Sequence, residues 1–399
     1  MEKYDVAVIG GGPVGGYVAK KIASEGFKTA LFEEHKRIGM PLKCAGLVTS
    51  RIFNLLDFSK TKVVQNEIYG AHIYSPSGEV LTIGGDGDRV HALVINRSQF
   101  DEEIIDNAKN SGAEIYLESR TTSGKKRNNN IQLDILQKEK TDQINCSLLI
   151  GADGPHSKIR EVFRFPQPIE FLRGIGAEVT NINLDPKFVE IFLGQNIAPG
   201  FFAWVIPINN DGSEARIGLC IDSNSKNTLK QCFTHLLKSK QLQNIKITKH
   251  IGGSIPLGPL KKTVESNIML VGDAAAQVKP TSGGGIYPGL LCAHYCSSVA
   301  LEALELNDFS SQVLNKYHKL WSKEIGKELL LGMKFRTIFK NFNDKKLDRY
   351  IKKLNNKKTI DAINKYGDID YPSKLAFPLL KNSPSLLKLL PSAFKLKKK

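Results

Sequence analysis

The stretch Asp5-Val6-Ala7-Val8-Ile9-Gly10-Gly11-Gly12-Pro13-Val14-Gly15-Gly16 decides how this chain is read. Near-continuous apolar residues run into a glycine turn, and a helical pattern follows from Tyr17 to Gly26. A strand that is apolar on both faces suits a buried parallel sheet. Gly10, Gly12 and Gly15 fit G-x-G-x-x-G. The first glycine permits a tight turn, the second lets backbone approach a pyrophosphate, and the third lets helix pack closely on strand. The helix N-terminus then presents unpaired N–H groups and a positive dipole end to phosphates. A second strand, Thr29-Ala30-Leu31-Phe32, ends in Glu33, about 20 residues on, where an acceptor for a ribose hydroxyl belongs. Glu33 would also repel a 2′-phosphate. These features in order predict a dinucleotide-binding unit.

The 399 residues suffice for a large core and two or three domains. Met1-Glu2-Lys3-Tyr4 leads straight into the first strand, and no apolar run approaches the ~18 residues of a spanning helix. The expectation is a cytoplasmic protein, at most peripheral on the cytoplasmic face of a membrane. Cys44, Cys146, Cys220, Cys232, Cys292 and Cys296 are scattered without zinc spacing and are expected as free thiols. The net charge of +16 is uneven: residues 311–399 hold 22 Lys/Arg against 7 Asp/Glu, and the first 310 hold 34 against 33. The basic character belongs to the C-terminal region.

Outward from the glycine turn, a loop from Glu34 to Gly46 precedes a helical pattern near Ser50 to Leu56. Alternating segments between Glu67 and Val90 read as antiparallel strands. A helix is expected from the Arg97 region to about Ser111, with Ser98 as candidate N-cap. Ala113–Leu117 and Ile131–Leu136 read as strands around a polar 125–130 turn, and Ser147-Leu148-Leu149-Ile150-Gly151-Ala152-Asp153-Gly154 as a buried strand ending in an acid. From Gly174 to Ile255 strand period dominates, broken by one helical segment from Thr228 to Lys238. Asn267-Ile268-Met269-Leu270-Val271-Gly272-Asp273 is another buried strand with a terminal acid, followed by a glycine loop and a long helix from Ile286 to about Leu306. Helical patterns fill Ser310 to Tyr350. The fold class expected is α/β. A Rossmann-like dinucleotide-binding domain (1–65, 91–165 and 262–310) carries an inserted antiparallel β-rich substrate domain (66–90 and 166–261). A basic helical region (311–399) follows.

Three motifs now stand in order: the glycine turn, Gly151-Ala152-Asp153-Gly154-Pro155-His156-Ser157-Lys158-Ile159-Arg160, and Gly272-Asp273-Ala274-Ala275-Ala276 with Pro280-Thr281-Ser282-Gly283-Gly284-Gly285-Ile286. Over residues 4–300 the chain resembles the FAD-dependent group that includes para-hydroxybenzoate hydroxylase. FAD is long, so one end needs phosphate-binding glycines and the other a separate contact to ribityl and flavin. Asp273 suits a ribityl hydroxyl, and the Gly283–Gly285 backbone suits flavin N1 and O2, where a reduced flavin carries negative charge.

Within that group the chain resembles the geranylgeranyl reductase family. Pro41-Leu42-Lys43-Cys44-Ala45-Gly46 is similar to its P-x-x-C-A/G motif. Phe202-Ala203-Trp204-Val205-Ile206-Pro207, with Gly218-Leu219-Cys220, is similar to its Y-x-W-x-F-P…G-x-G signature. Phe202, Ile206 and Cys220 stand where the family has Tyr, Phe and Gly. The resemblance implies reduction of isolated C=C bonds of isoprenoid chains, including digeranylgeranylglycerophospholipids or geranylgeranyl diphosphate. It implies that Val14 and Gly15 meet the pyrophosphate, Glu33 the ribose, and Thr121 the adenine through backbone. Cys44 and Ala45 would lie along the flavin, with Arg97, Asp273, Gly285 and Ile286 completing the site. Phe202, Trp204, Ile206 and Pro207 would line the lipid pocket. The alternative for Arg97 is a pair with Asp101 at i, i+4 on a solvated helix face.

An unactivated alkene offers no carbonyl to polarise, so positioning, exclusion of water and a nearby acid must do the work. Cys44 and Tyr287 are both candidate proton donors. The alternative on the same scaffold is an FAD-dependent hydroxylase of a hydrophobic substrate, and a non-enzyme alternative is an isoprenoid-binding escort. Ferredoxin, NADH, NADPH and another reduced carrier stay open as electron donors. The mixture of Leu, Phe and Lys over Ser383–Lys399 suits reversible attachment to anionic headgroups. No recognised nucleic-acid module surrounds the charge.

Overall fold

The computed structural model describes residues 2–85, 87, 89–239 and 242–382. The Ser383–Lys399 segment expected to meet a membrane lies outside the described residues.

The Glu2–Ile9 strand pairs in parallel with Thr29–Phe32 on one side and Lys140–Gly151 on the other, as its two-faced apolar sequence requires. These strands sit in an eight-stranded sheet that also holds Glu114–Tyr116 and Ile268–Leu270. Val6, Val8, Leu31, Leu148 and Ile150 bury one face against the helices Pro13–Ala23, Arg97–Asn110 and Ile286–Glu305. Ala7, Ile9, Ala30, Phe32 and Leu149 bury the other against Ile131, Leu133 and Ile159.

The insertion is a seven-stranded sheet with Lys246–Leu257, Glu170–Thr180, Glu214–Asp222, Ala203–Pro207 and Phe188–Phe192 in spatial order, extended by Gly70–Tyr74 and Val80–Gly84. One face packs on the Leu229–Leu236 helix through Val179, Val205, Ile217, Leu219 and Cys232. Thr228 caps that helix with a reciprocal Gln231 contact. A small sheet of Leu47–Val48, Val64–Ile68 and Ala92–Ile95 stands between the two large ones.

Several expectations are corrected. Asn96, not Ser98, caps the Arg97–Asn110 helix, its Oδ1 accepting the Gln99 N–H at 3.3 Å. Ser50–Asn54 is a single short 3₁₀ run, for which i→i+3 bonds suffice. Ser119–Arg127 is a strand despite its polar sequence, because its antiparallel partner Asn130–Gln137 supplies the apolar face.

The Ser311–Trp321 helix locks the Asp273 loop. Gln277 Oε1 accepts the Gly272 N–H at 2.7 Å, and Gln277 Nε2 donates to Tyr317 Oη at 2.8 Å. Tyr317 in turn donates to the Leu270 carbonyl at 2.9 Å, and the whole relay is buried. Tyr317→Phe leaves a buried amide N–H and a carbonyl short of partners, at a cost of about 1–3 kcal/mol. The expected outcome in a thermal melt is a midpoint lower by a few degrees. An unchanged midpoint would show that the relay contributes nothing.

Candidate flavin and lipid site

At the amino-terminal end, Gly10 adopts φ +110°, and a Cβ there would stand 2.3 Å from the Ala152 carbonyl oxygen. A Cβ on Gly15 would stand 2.0 Å from the Gly10 oxygen, so strand, turn and helix touch backbone to backbone. A Cβ on Gly12 would meet nothing within 4 Å, because that glycine faces open space at the helix N-terminus. Glu33 accepts the Gly11 N–H at 2.6 Å and the His35 N–H at 2.9 Å, which fixes its carboxylate beside the turn. Asp153 accepts the Ile159 N–H through Oδ2 at 3.0 Å. Its Oδ1 is buried with no hydrogen-bond partner, as is the Thr121 hydroxyl.

Val14 packs on the late loop: Cβ atoms on Gly272 and Gly289 would approach it to 3.1 and 2.8 Å. Asp273 lies 2.8 Å from the Cβ position of Gly285, the residue that precedes the uncapped Ile286–Glu305 helix. Burial pushes the Asp273 carboxyl up to about 6, and the Arg97 guanidinium opposes the rise. Arg97 Nη2 grips Asp101 at 2.9 and 2.7 Å, so the i, i+4 pair forms, and the same guanidinium also reaches Cys44. Arg97, Cys44 and Asp273 are thus brought together.

Rows of glycine make a shallow trough in the seven-stranded sheet beside this end, partly filled by the Trp204 ring. Gly176, Gly218 and Trp204 are paired in one row across three strands, and Gly253, Gly174 and Cys220 in the next. A Cβ on Gly218 would enter the Trp204 ring at 2.6 Å, which is why the signature pairs that glycine with that tryptophan. Phe202 meets Trp204 edge-on with centroids 6.1 Å apart. Both pack with Phe201, Ile255, Leu257, Val278 and Met333, so the Asp273 loop and the substrate sheet share one apolar cluster. The Cys44 loop closes the opposite side, with Lys43 3.6 Å from the Cβ position of Gly253.

Arg216 holds that loop in place. It is 2% exposed and donates from Nη1 to the Ala45 carbonyl at 3.1 Å and the Ile95 carbonyl at 2.8 Å. Nη2 donates to Gln65 at 2.7 Å and Nε to Glu178 at 3.0 Å. Gly46, at φ +73°, passes beneath it, where a Cβ would stand 2.5 Å from Nη1.

Some sequence-derived residues fall elsewhere. Ile206 packs in a neighbouring cluster with Ala45, Leu47 and Val94, linked to the first through Trp204. Pro207 ends its strand away from the Phe202 cluster, its carbonyl accepting from Asn66 at 3.1 Å. Tyr287 bonds the Tyr371 hydroxyl at 2.9 Å, and burial with that bond pushes its pKa up, making it a weaker acid. Arg160 closes the second motif in the sequence, but its role is not legible there: it joins the two acid loops by donating to the Ala274 carbonyl at 3.0 Å and the Pro155 carbonyl at 2.7 Å. Sequence reasoning also missed the C-terminal cover. Arg336 is buried over Phe201, donating to the Gly200 carbonyl at 2.8 Å and pairing with Glu170, while Gly332 packs on Pro280. Only a buried arginine in a basic helix signals this, and burial is not visible in a sequence.

The donor set fits an extended dinucleotide coenzyme: an open glycine at one helix N-terminus, an orphaned buried Asp153 oxygen, and Asp273 beside a second helix N-terminus. A family model described as FAD binding domain matches residues 3–319, so the chain is an FAD-binding protein. A digeranylgeranylglycerophospholipid reductase of Methanocaldococcus jannaschii is 30% identical over 397 residues, covering 96% of this chain and 97% of that protein. An uncharacterized protein of the same organism is 33% identical over 382 residues, 95% of each chain. The chain belongs to the geranylgeranyl reductase family. Its fold is that of a geranylgeranyl bacteriochlorophyll reductase-like protein from Thermoplasma acidophilum, with TM-score 0.86, 24% identity, and coverage of 98% and 100%. The p-nitrophenol 4-monooxygenase of Pseudomonas putida shares the scaffold more distantly, with TM-score 0.70, 16% identity, and coverage of 98% and 99%.

Because burial raises the Asp273 carboxyl to about 6, the folded FAD-free protein binds a proton there more tightly than the unfolded chain does. Stability from this group therefore falls as pH rises through about 4 to 6, and the full cost is present above. At 1.36 kcal/mol per unit the ceiling is about 3 kcal/mol, reduced by the solvent reaching this half-buried side chain. Asp273→Asn is expected to raise the melting midpoint of FAD-free protein at pH 7.5, with a gain that shrinks by pH 4.5. A gain independent of pH would overturn the assignment. Arg216→Lys removes the fork that grips two carbonyls. The expected result is faster alkylation of Cys44 by iodoacetamide with the fold retained, and an unchanged rate would mean the loop is held by other contacts.

Proposed function

We propose that this protein is an FAD-dependent reductase that saturates C=C bonds of geranylgeranyl chains in isoprenoid lipids such as digeranylgeranylglycerophospholipid. The observation that carries it is the junction of Asp273's loop, through Val278, with the apolar Phe202–Trp204 cluster and the glycine trough facing the Cys44 loop. The FAD-binding unit is read as 1–65, 91–165 and 262–310, the substrate unit as 66–90 and 166–261, and 311–399 as the basic cover.

FAD, when bound, supplies the hydride. Gly10, Gly12, Val14 and Gly15 bring backbone to its pyrophosphate, and Glu33 and Thr121 sit at the adenosine end. Asp273 accepts a ribityl hydroxyl, with Gly285, Ile286, Ala45 and Arg97 around the ring. Phe202 and Trp204 orient an isoprenoid chain and keep water out, which suits a substrate without polar handles, while Ile206 backs Trp204 from the neighbouring cluster. Pro207 supports that strand from its end. Cys44 Sγ is the proton donor favoured here, because the Arg97 guanidinium reaches it, whereas the Tyr287 hydroxyl is turned onto Tyr371.

Among the described residues no helix is long and apolar enough to cross a membrane. Lys345, Lys346, Lys352, Lys353, Lys357 and Lys358 are exposed on the helices Asp344–Leu354 and Lys357–Tyr366. That basic surface supports peripheral contact with anionic headgroups, where a lipid substrate would be drawn in.

The test is anaerobic incubation of dithionite-reduced protein with unsaturated archaeal-type lipid, dithionite standing in for ferredoxin or NAD(P)H. Mass spectrometry should show gains in steps of two hydrogens. Product that appears only with O₂ and carries an added oxygen would establish the hydroxylase instead. Cys44→Ala should slow saturation by about a hundredfold or more, as loss of a general acid does, while Tyr287→Phe should cost far less.

A further inference from the structure

Lys279 lies in the turn that joins Asp273 to Gly283–Gly285. Its N–H donates to the Gly284 carbonyl at 3.1 Å, and its own carbonyl accepts the Gly283 N–H at 2.8 Å. Its ammonium stands 3.3 Å from the Cβ position of Gly284. The side chain is buried, and Nζ donates to Asp370 Oδ1 at 2.6 Å. Asp370 is 0% exposed, and its Oδ2 accepts Thr49 Oγ1 at 2.6 Å and Arg51 Nη1 at 3.0 Å. Arg51 also grips Asp368 through both terminal nitrogens at 2.8 Å, and Lys374 reaches Asp368 at 3.0 Å. Three cations therefore meet two carboxylates, leaving one positive charge in excess.

This cluster has no counterpart in the glycine motifs. Its carboxylates come from the 367–371 strap, beyond the residue-319 end of the matched FAD-binding domain. Packing alone would be served as well by an apolar pair, since burying charges is costly. We propose that Lys279 sets the reduction potential of the bound flavin, and that Asp370 and Arg51 fix how much of its charge the flavin experiences. The inference rests on the flavin facing the Gly283–Gly285 turn, as proposed above. Reduction places negative charge on that side of the coenzyme, and a cation in a poorly solvated surrounding favours the reduced form. Asp370 offsets that cation, and Arg51 in turn offsets Asp370. The Tyr287–Tyr371 bond pins the strap to the first turn of the helix behind the loop.

A purely structural pair would behave differently: removing either partner would loosen the turn and move the potential the same way. The full-length holoprotein is titrated against reference dyes, with FAD affinity followed by fluorescence quenching. Lys279→Gln is expected to weaken reduced relative to oxidised binding about tenfold, a fall of about 30 mV for a two-electron couple. Asp370→Asn is expected to shift the potential upward. Equal signs, or unmoved potentials with FAD bound, overturn the inference. Should both buried substitutions prevent folding, Arg51→Gln on a partly exposed side chain decides: a lowered potential supports the inference and an unchanged one overturns it. Folded wild-type protein without flavin absorbance after FAD addition would overturn the placement of the coenzyme itself.

Discussion

Val14 resting on two bare backbones, Gly272 and Gly289, is the contact on which the geometry of this molecule depends. It joins the first turn of the first helix to a loop some 260 residues later and to the Ile286–Glu305 helix that follows it, at a separation that a single extra methyl would prevent. The tight approach of Gly15 to Gly10 fixes the same helix against its own strand. Together they put two helix N-termini on one groove, each with unpaired N–H groups and a positive dipole end. Anionic coenzyme atoms are favoured at both ends of that groove, while the space between is decided by glycine alone.

The catalytic space proposed above is not contained in any one sheet. The eight-stranded sheet supplies the acid loops, the seven-stranded sheet a trough floored by glycine and walled by Trp204, and the C-terminal helices a roof through Arg336 and Met333. Such an assembly needs struts that hold angle as well as distance. Buried arginines at 160, 216 and 336 do this: the first two each donate to backbone carbonyls from separate segments, and Arg336 joins the Gly200 carbonyl to the Glu170 carboxylate. A planar fork with five donors is suited to that task, and a lysine is not.

Local chemistry was legible in the sequence. The glycine turn, Glu33, Asp153 and Asp273 announce themselves by spacing against strand pattern, and the Trp204–Gly218 pair by its signature. What could not be read was packing between segments far apart in the chain. Nothing near Arg216 says that its partner is the Ala45 carbonyl, and nothing near Lys279 points to Asp370. The Ser98 error was local: Asn96 and Ser98 are both good caps, and the extended backbone at Asn96 decided between them. The basic C-terminal region read as surface only, because charge composition hides the buried side of an amphipathic helix.

The strap has a consequence for how the molecule comes into being. Its bond to Lys279 spans 91 residues and its bond to Arg51 spans 319. Closing loops of that length forfeits chain entropy before any contact repays it, so such contacts form late. The coenzyme cradle is therefore cemented last, by a strap contributed from more than 300 residues after the first glycine turn, and a chain still maturing would hold its glycine turns before it could hold them still.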